Sequence, residues 1–388
     1  MKLTTRCNEL IKAVQSCSRV IVSASPSPVL TNILIDCNSK KDEGMVRLFA
    51  TDLEMYYEVF VPASIEEPGE VMVSSKTFTE TLGSFSDEGE ITISCNTENF
   101  NIEIRGSNIA SKAECTIFGL APDDFPSLPT FDKGENFSFK YSLSKLQSMI
   151  RDTIYAASTD QVKPAYCGMC LKILTTGLRA VSTDGKRLAF CEHTITGTEL
   201  KEHNELIIMS KVLNEIAKCH YDENNDEIEI VIFSNQIAFK SKTYSYYARL
   251  IEGKFPDYNQ VIPKDCKIKV SGNISEMSNR LRKTLSIAKE NSNTIKLNVG
   301  SSSIIYTAKS TRVGSMKIES PITMISGSDI EINFNAKFLL DLLATIKSEE
   351  CILEFTNPQA PVKVYPKQEI TDESHVHILM PVRPGFGA

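Results

Sequence analysis

No apolar run in this 388-residue chain approaches the roughly 20 residues that a helix needs to cross a bilayer, which excludes a helical membrane bundle. Residues 1–6, Met-Lys-Leu-Thr-Thr-Arg, do not lead into the apolar stretch of a secretory signal, so a cytoplasmic protein is expected. There is no Walker loop, no G-x-G-x-x-G and no Ser-x-His arrangement. The lone C-x-x-C, Cys167-Gly168-Met169-Cys170, sits in a segment that reads as a strand, where residues three apart face opposite ways, and no second pair follows. Eleven Cys is an odd number, scattered among apolar neighbours, and reads as reduced, mostly buried thiols. His is scarce as well, at positions 193, 203, 220, 375 and 377. His375 and His377 share a strand face but lack a third ligand in the sequence, so no metal and no cofactor is expected. What is present is globular: 41% hydrophobic and 23% charged residues exclude a disordered chain or a fibre. The length suits two or three domains.

The chain repeats itself three times. Residues 1–20, 137–157 and 267–290 each open with a short alternating strand followed by an amphipathic helix. A second strand–helix unit recurs in each third, as Val71-Met72-Val73-Ser74-Ser75-Lys76, Leu206-Ile207-Ile208-Met209-Ser210-Lys211 and Ile330-Glu331-Ile332-Asn333-Phe334-Asn335-Ala336-Lys337. Stretches of period two then open at Glu90, Glu227 and Cys351, the mark of half-buried antiparallel strands. Phe125-Pro126 and Phe255-Pro256, each followed by another Pro, read as stiff links, since Pro cannot continue a ladder. The expected organisation is α+β in three domains, 1–130, 131–262 and 263–388, each with two helices packed on antiparallel sheet.

A net charge of −7 speaks against a nucleic-acid partner only if the charge is evenly spread. It is not. The six expected helices (6–19, 75–85, 144–157, 210–220, 276–290 and 335–347) hold fourteen Lys and Arg against seven Asp and Glu, so they carry +7 and the remaining chain −14. In the first helix Leu10, Ile11 and Val14 form the apolar stripe while Lys12 and Arg19 lie on the other face. In the fifth, Met277, Leu281, Leu285 and Ala288 form the stripe and Arg282 and Lys289 lie away from it. Basic side chains without regular aromatic partners suit phosphate contact rather than base stacking, a salt-sensitive binding that permits sliding.

Six motifs, in order along the chain, resemble the bacterial DNA polymerase III beta subunit family of sliding clamps: Asn32-Ile33-Leu34-Ile35, Ala50-Thr51-Asp52-Leu53-Glu54, Asp124-Phe125-Pro126, Ser182-Thr183-Asp184-Gly185-Lys186-Arg187-Leu188-Ala189, Phe255-Pro256-Asp257-Tyr258 and Met380-Pro381-Val382-Arg383. The resemblance implies a ring-shaped head-to-tail homodimer of clamp domains, with helices lining the hole, that encircles duplex DNA and serves as a processivity factor. It implies DNA-facing Lys12, Arg19, Lys76, Lys145, Lys163, Lys211, Lys218, Arg282, Lys283, Lys289 and Lys337. It implies a dimer interface at an edge strand near 105–110 (Arg105, Ser107, Ile109) and at Leu285 and Ile287, the last chosen because it lies off the core stripe. It also implies a cleft between the second and third domains for short peptides of polymerases, clamp loader and repair proteins. The cleft would be lined by Tyr166, Thr183, Gly185, Lys186, Leu188, Pro256, Gln260, Val261, Ile378, Met380, Pro381, Val382 and Arg383. The chain departs from the family pattern at Lys186, Tyr166 and Gln260, and in the tail 384–388, where Phe386 is expected either to enter the cleft or to stay unfolded. No enzymatic activity is expected. The rival reading is a metal-dependent nuclease using Asp52 and Glu54, flanking a core residue on a strand, together with Asp184.

Overall fold

The computed structural model describes residues 1–21, 27–38, 44–86, 89–107, 113–128, 137–195, 203–219, 226–367 and 373–383. Among these described residues there are six α-helices: α1 (Cys7–Val20), α2 (Ser75–Gly83), α3 (Leu143–Thr153), α4 (Ser210–Ile216), α5 (Ile274–Ala288) and α6 (Ala336–Thr345). All six follow directly on a strand, as the repeat requires. Five of them end short of the sequence expectation, α2 at Gly83 and α5 at Ala288 by two residues each. Beyond Thr153 the chain tightens into a 3-10 turn, Ile154–Ala156, with the Thr153 hydroxyl donating back to the Met149 carbonyl at 2.7 Å. α4 gives way to a turn at Ala217 and Lys218, so Lys218 stands just outside the helix. α6 stops at Thr345, two residues short of Lys347. Side-chain caps recur at corresponding places: Ser74 accepts from the Thr77 N–H, and Asn335 from the N–H groups of Lys337 and Phe338.

The chain folds into two compact units, residues 1–143 with 219–250, and 144–218 with 251–388. In the first unit a twelve-stranded sheet runs from Lys2–Arg6 to Phe137–Ser142. The long strand Met55–Glu67 pairs with Met45–Thr51, with Tyr244–Arg249 and, at its far end, with Lys2–Arg6. α1 buries Cys7, Leu10, Ala13, Val14, Cys17 and Val20. It meets α2 through a hydroxyl cluster in which Ser75 donates to Ser18 at 2.8 Å and Ser18 contacts Thr79 at 3.0 Å.

The second unit holds a nine-stranded sheet, in the order 203–209, 168–174, 177–183, 187–194, 373–379, 362–366, 350–355, 268–273, 323–326, and a four-stranded one, 314–321, 303–310, 294–299, 330–335. α5 and α6 close a shared core with residues such as Leu281, Leu297, Tyr306, Phe334, Leu342 and Leu353. Thr284 is fully buried on α5, whereas Leu285 and Ile287 are half-buried at the rim of that core. No helix among the described residues is long and apolar enough to cross a membrane. All eleven cysteines are free thiols, seven of them buried. Cys167 precedes the strand Gly168–Leu174 rather than lying on it, so the C-x-x-C does not occupy one strand.

The sheet order corrects the expected interface edge. Asn101–Gly106, which carries Arg105, is an interior strand paired with Glu90–Cys95 on one side and Glu114–Leu120 on the other. The Arg105 guanidinium is engaged by Glu114 at 2.6 Å and Glu103 at 3.2 Å, and Ser107 exchanges hydrogen bonds with the Glu90 backbone. Ile109 lies outside the described residues. Among the described residues the open edge belongs to Glu114–Leu120, whose outer side pairs only at Gly119 and Leu120. Phe118 on this strand is 84% exposed.

Candidate peptide-binding slot

The second unit carries an apolar slot of about 220 Å³, lined by Tyr166, Thr183, Gly185, Arg187, Leu188, Pro256, Asp257, Tyr258, Val261, Ile378 and Met380. Its floor follows from strand alternation. Arg187–Thr194 runs antiparallel to Glu373–Leu379, with Leu188 opposite Ile378 and Phe190 opposite Val376. These four share one face with Cys170, Val181, Ile207, Phe255 and Tyr258 in a single apolar cluster. The link Phe255-Pro256 crosses this face, seating Phe255 and Tyr258 on it while Val261 and Met380 stay over a third exposed at the mouth.

One wall is the turn from Thr183 to Arg187. Asp184 Oδ1 accepts from the N–H groups of Lys186 (2.8 Å) and Arg187 (2.9 Å). The Thr183 hydroxyl accepts from the Gly185 N–H at 3.1 Å and donates to the Arg187 carbonyl at 2.7 Å. Gly185 sits at φ +84°, the left-handed region in which glycine avoids Cβ strain. Arg187 is then locked by three groups: Asp184 Oδ2 at 3.1 Å, Asp341 Oδ2 at 2.7 Å, and the Phe338 ring, 4.4 Å below the guanidinium. On the opposite side Asp257 accepts from the Asn259 N–H and from the Gln260 side-chain amide, and these bonds hold its carboxyl below the ordinary range, the Gln260 bond most strongly. Burial pushes the Tyr258 hydroxyl up, against the pull of Arg179.

Of the thirteen residues expected here, eight line the slot: Tyr166, Thr183, Gly185, Leu188, Pro256, Val261, Ile378 and Met380. Five do not. The backbone of Lys186, not its side chain, takes part, its carbonyl accepting from the Met380 N–H at 2.9 Å. The Gln260 amide is turned back onto Asp257. Val382 is drawn off by a bond from its N–H to the Asn333 carbonyl, and Pro381 and Arg383 stand beside it outside the lining. The tail 384–388, with Phe386, lies outside the described residues. Arg187, Asp257 and Tyr258 were missed, although all three lie inside quoted motifs. The signal was available at Arg187, the first residue of the strand whose next residue is the slot-facing Leu188.

The basic residues expected to face DNA are placed by element. Lys12 and Arg19 are exposed on α1, Lys76 on α2, Lys145 on α3, Arg282 and Lys283 on α5, and Lys337 on α6. Lys211 is half-buried at the start of α4, Lys218 pairs with Glu215 at 3.0 Å, Lys289 follows α5, and Lys163 sits in a loop over the Tyr166 ring. Asp52 and Glu54 lie in a tight turn, not on a strand. Asp52 Oδ1 accepts from the N–H groups of Glu54 (3.1 Å) and Met55 (2.7 Å), as Asp184 does in its own turn. Each aspartate thus serves its own turn, which removes the structural basis of the nuclease reading.

Repeated helix-on-sheet units carrying an apolar slot beside a charge-locked turn define a protein of the clamp class. Residues 1–129, 141–257 and 259–383 match, respectively, the N-terminal, central and C-terminal domains of the DNA polymerase III beta subunit. The beta sliding clamp of Bacillus subtilis (strain 168) is 28% identical over 393 residues, covering 99% of this chain and 100% of the relative. The solved DNA polymerase sliding clamp from Bacillus subtilis superposes with a TM-score of 0.87 at 26% identity, over 99% of both chains. The sliding clamp from Pseudomonas aeruginosa bound to griselimycin gives 0.88 at 25% identity, again over 99% of both. The chain belongs to the DNA polymerase III beta subunit family, the sliding clamps that act as processivity factors in DNA replication.

Proposed function

We propose that two copies of this chain, each with domains 1–130, 131–262 and 263–388, close head to tail into a ring around duplex DNA in the cytoplasm, at the nucleoid. The observation that carries this reading is the recurrence of exposed Lys and Arg on helices of all three repeats in a chain of net charge −7. Such a charge pattern draws the phosphate backbone to the helices and repels it elsewhere, without reading sequence. The ring closes by pairing two open strand edges, Glu114–Leu120 of one copy and Gly314–Pro321 of the other, with Leu285 and Ile287 beside the second edge. Retention comes from topology, and the chain catalyses no reaction.

The slot takes short peptides of the replicative polymerase, the clamp loader, translesion polymerases and repair proteins. Half-exposed Val261 and Met380 at its mouth above a floor of Leu188 and Ile378 suit capture of a few apolar anchors within a polar rim. The test loads the chain onto nicked circular duplex with a clamp loader. Protein that stays on the circle through gel filtration, leaves once the circle is linearised and cuts neither strand supports the ring. Equal retention on linear DNA, or cleavage, overturns it.

A further inference from the structure

The face of the Arg187–Thr194 strand opposite the slot carries a second constellation. Antiparallel pairing sets Cys191 directly across from His375, and His193 follows two residues on, on the same side. Cys191 and His193 are fully buried, while the His375 side chain keeps 18% of its surface. One ligand atom from each of the three lies within 4.8 Å of the other two. The Cys191 Sγ stands 3.9 Å from His375 Nε2, and the two imidazole rings are 6.2 Å apart. Behind them, Asp152 on α3 meets His375 Nδ1 at 3.4 Å and is itself held by the Ser148 hydroxyl at 3.2 Å.

We propose that Cys191, His193 and His375 bind a zinc ion, with Asp152 orienting His375 from behind. Four observations converge on it. A thiolate and two imidazoles are the donor set of a borderline-soft, tetrahedral ion, with the fourth position left to water. Zinc–sulfur and zinc–nitrogen bonds of about 2.3 and 2.0–2.1 Å at a tetrahedral angle separate sulfur from nitrogen by roughly 3.6 Å, close to the spacing between Cys191 and His375. The contact of His375 Nδ1 with a carboxylate leaves Nε2 toward the thiol, the arrangement that fixes the tautomer of a zinc-bound histidine. The charges also close, since one divalent ion balances the Cys191 thiolate and the Asp152 carboxylate. The sequence concealed this set because Cys191 and His375 are 184 positions apart and meet only through strand pairing.

The proposal rests on neither the peptide slot nor the ring, and the ion would staple Glu373–Leu379 to Arg187–Thr194. Its test uses the full chain, stripped with a chelator under reducing conditions and titrated with Co²⁺ and then Zn²⁺. One Co²⁺ per chain is expected, with a thiolate-to-cobalt charge-transfer band and the intense visible bands of four-coordinate cobalt, both lost when Zn²⁺ displaces it. Cys191→Ser is expected to abolish the charge-transfer band, His375→Gln to weaken binding at least 100-fold, and Asp152→Asn to weaken it by about 10- to 100-fold with the band retained. X-ray absorption of the zinc-loaded wild-type chain, which needs no variant to fold, is expected to show one sulfur among nitrogen and oxygen neighbours. A charge-transfer band that survives Cys191→Ser, its absence from the wild type, or a zinc shell with no sulfur or with two overturns the proposal.

Discussion

Leu53 and Gly185 occupy the same place in two copies of one turn, and the comparison isolates what a single Cβ does. In the first copy the Thr51 hydroxyl accepts from the Leu53 N–H and donates to the Met55 carbonyl, both at 2.9 Å, repeating the pattern of Thr183, Gly185 and Arg187. Leu53 is held there at φ +74° and Gly185 at +84°. A left-handed non-glycine residue costs about 1–2 kcal/mol, and glycine returns roughly 0.5–1 kcal/mol of that as unfolded-state entropy. Gly185→Ala is therefore expected to lower unfolding free energy by about 1 kcal/mol, and Leu53→Gly to be neutral or stabilising by up to about 1 kcal/mol. Denaturant melts of the two variants check the opposite signs. A second residue-scale prediction concerns Glu354. Burial raises its carboxyl, but the Tyr365 hydroxyl at 2.7 Å and the ammonium groups of Lys363 and Lys269, each at 3.3 Å, outweigh burial and leave it below the ordinary glutamate value of 4.5. A carboxyl lowered in the folded state contributes stability that is complete above the unfolded value and is lost as pH falls through the folded one. Glu354→Gln is thus expected to destabilise at neutral pH and to lose less than wild type as pH is lowered below 4.5. Parallel melting curves through the acid limb would show it, and identical acid slopes would count against it.

At the scale of the element, one strand pair serves both sites. Along Arg187–Thr194, Leu188 and Phe190 face the slot while Cys191 and His193 face α3, so period two divides one segment between two chemistries. The slot was largely legible because its walls come from contiguous motifs, in which local turn chemistry and alternation place each side chain. Part of what escaped was set by partners far away in sequence. Lys186 and Gln260 were expected to line the slot, yet the Lys186 carbonyl holds Met380, and the Gln260 amide folds back onto Asp257, three residues before it. Asn101–Gly106 and Glu114–Leu120 both alternate, and which of them is outermost depends on pairing that no local pattern encodes. Helix starts were legible from the strand–helix repeat, while the ends of α3 and α4 were not, lacking a glycine stop. The hairpin that begins at Gly177 supplies an element-scale prediction. A Cβ built there would lie 2.0 Å from the His193 carbonyl oxygen, because the Gly177–Thr183 and Arg187–Thr194 strands approach closely at that point. Gly177→Ala is expected to destabilise the second unit by about 1–3 kcal/mol through overpacking, read as a lower denaturation midpoint, whereas Gly89→Ala, where nothing lies within 4 Å and the backbone is not left-handed, controls for open space.

At the scale of the whole molecule, the question is which strand edges two copies use to join. Within the Glu114–Leu120 strand the hydrogen bonds alternate in direction. The Gly106 N–H donates to the Ala113 carbonyl and the Gly119 N–H to the Phe100 carbonyl, so odd-numbered residues bond inward to Asn101–Gly106 and the even-numbered N–H groups of Glu114, Thr116 and Phe118 point to the open side. A proline at an even position deletes an outward donor and leaves the inner ladder whole. Thr116→Pro is therefore expected to convert a two-chain assembly into single chains of 43.2 kDa while the cooperative melt survives. Ile117→Pro, one residue along, strikes the inner ladder and is expected to lower stability by about 3 kcal/mol or more. Mass measured by light scattering alongside thermal melts separates the two. If Thr116→Pro keeps the mass of wild type, closure does not run through this edge. The exposed Phe118 must then be covered by something other than a second copy, or left in water at a cost the fold carries for another reason.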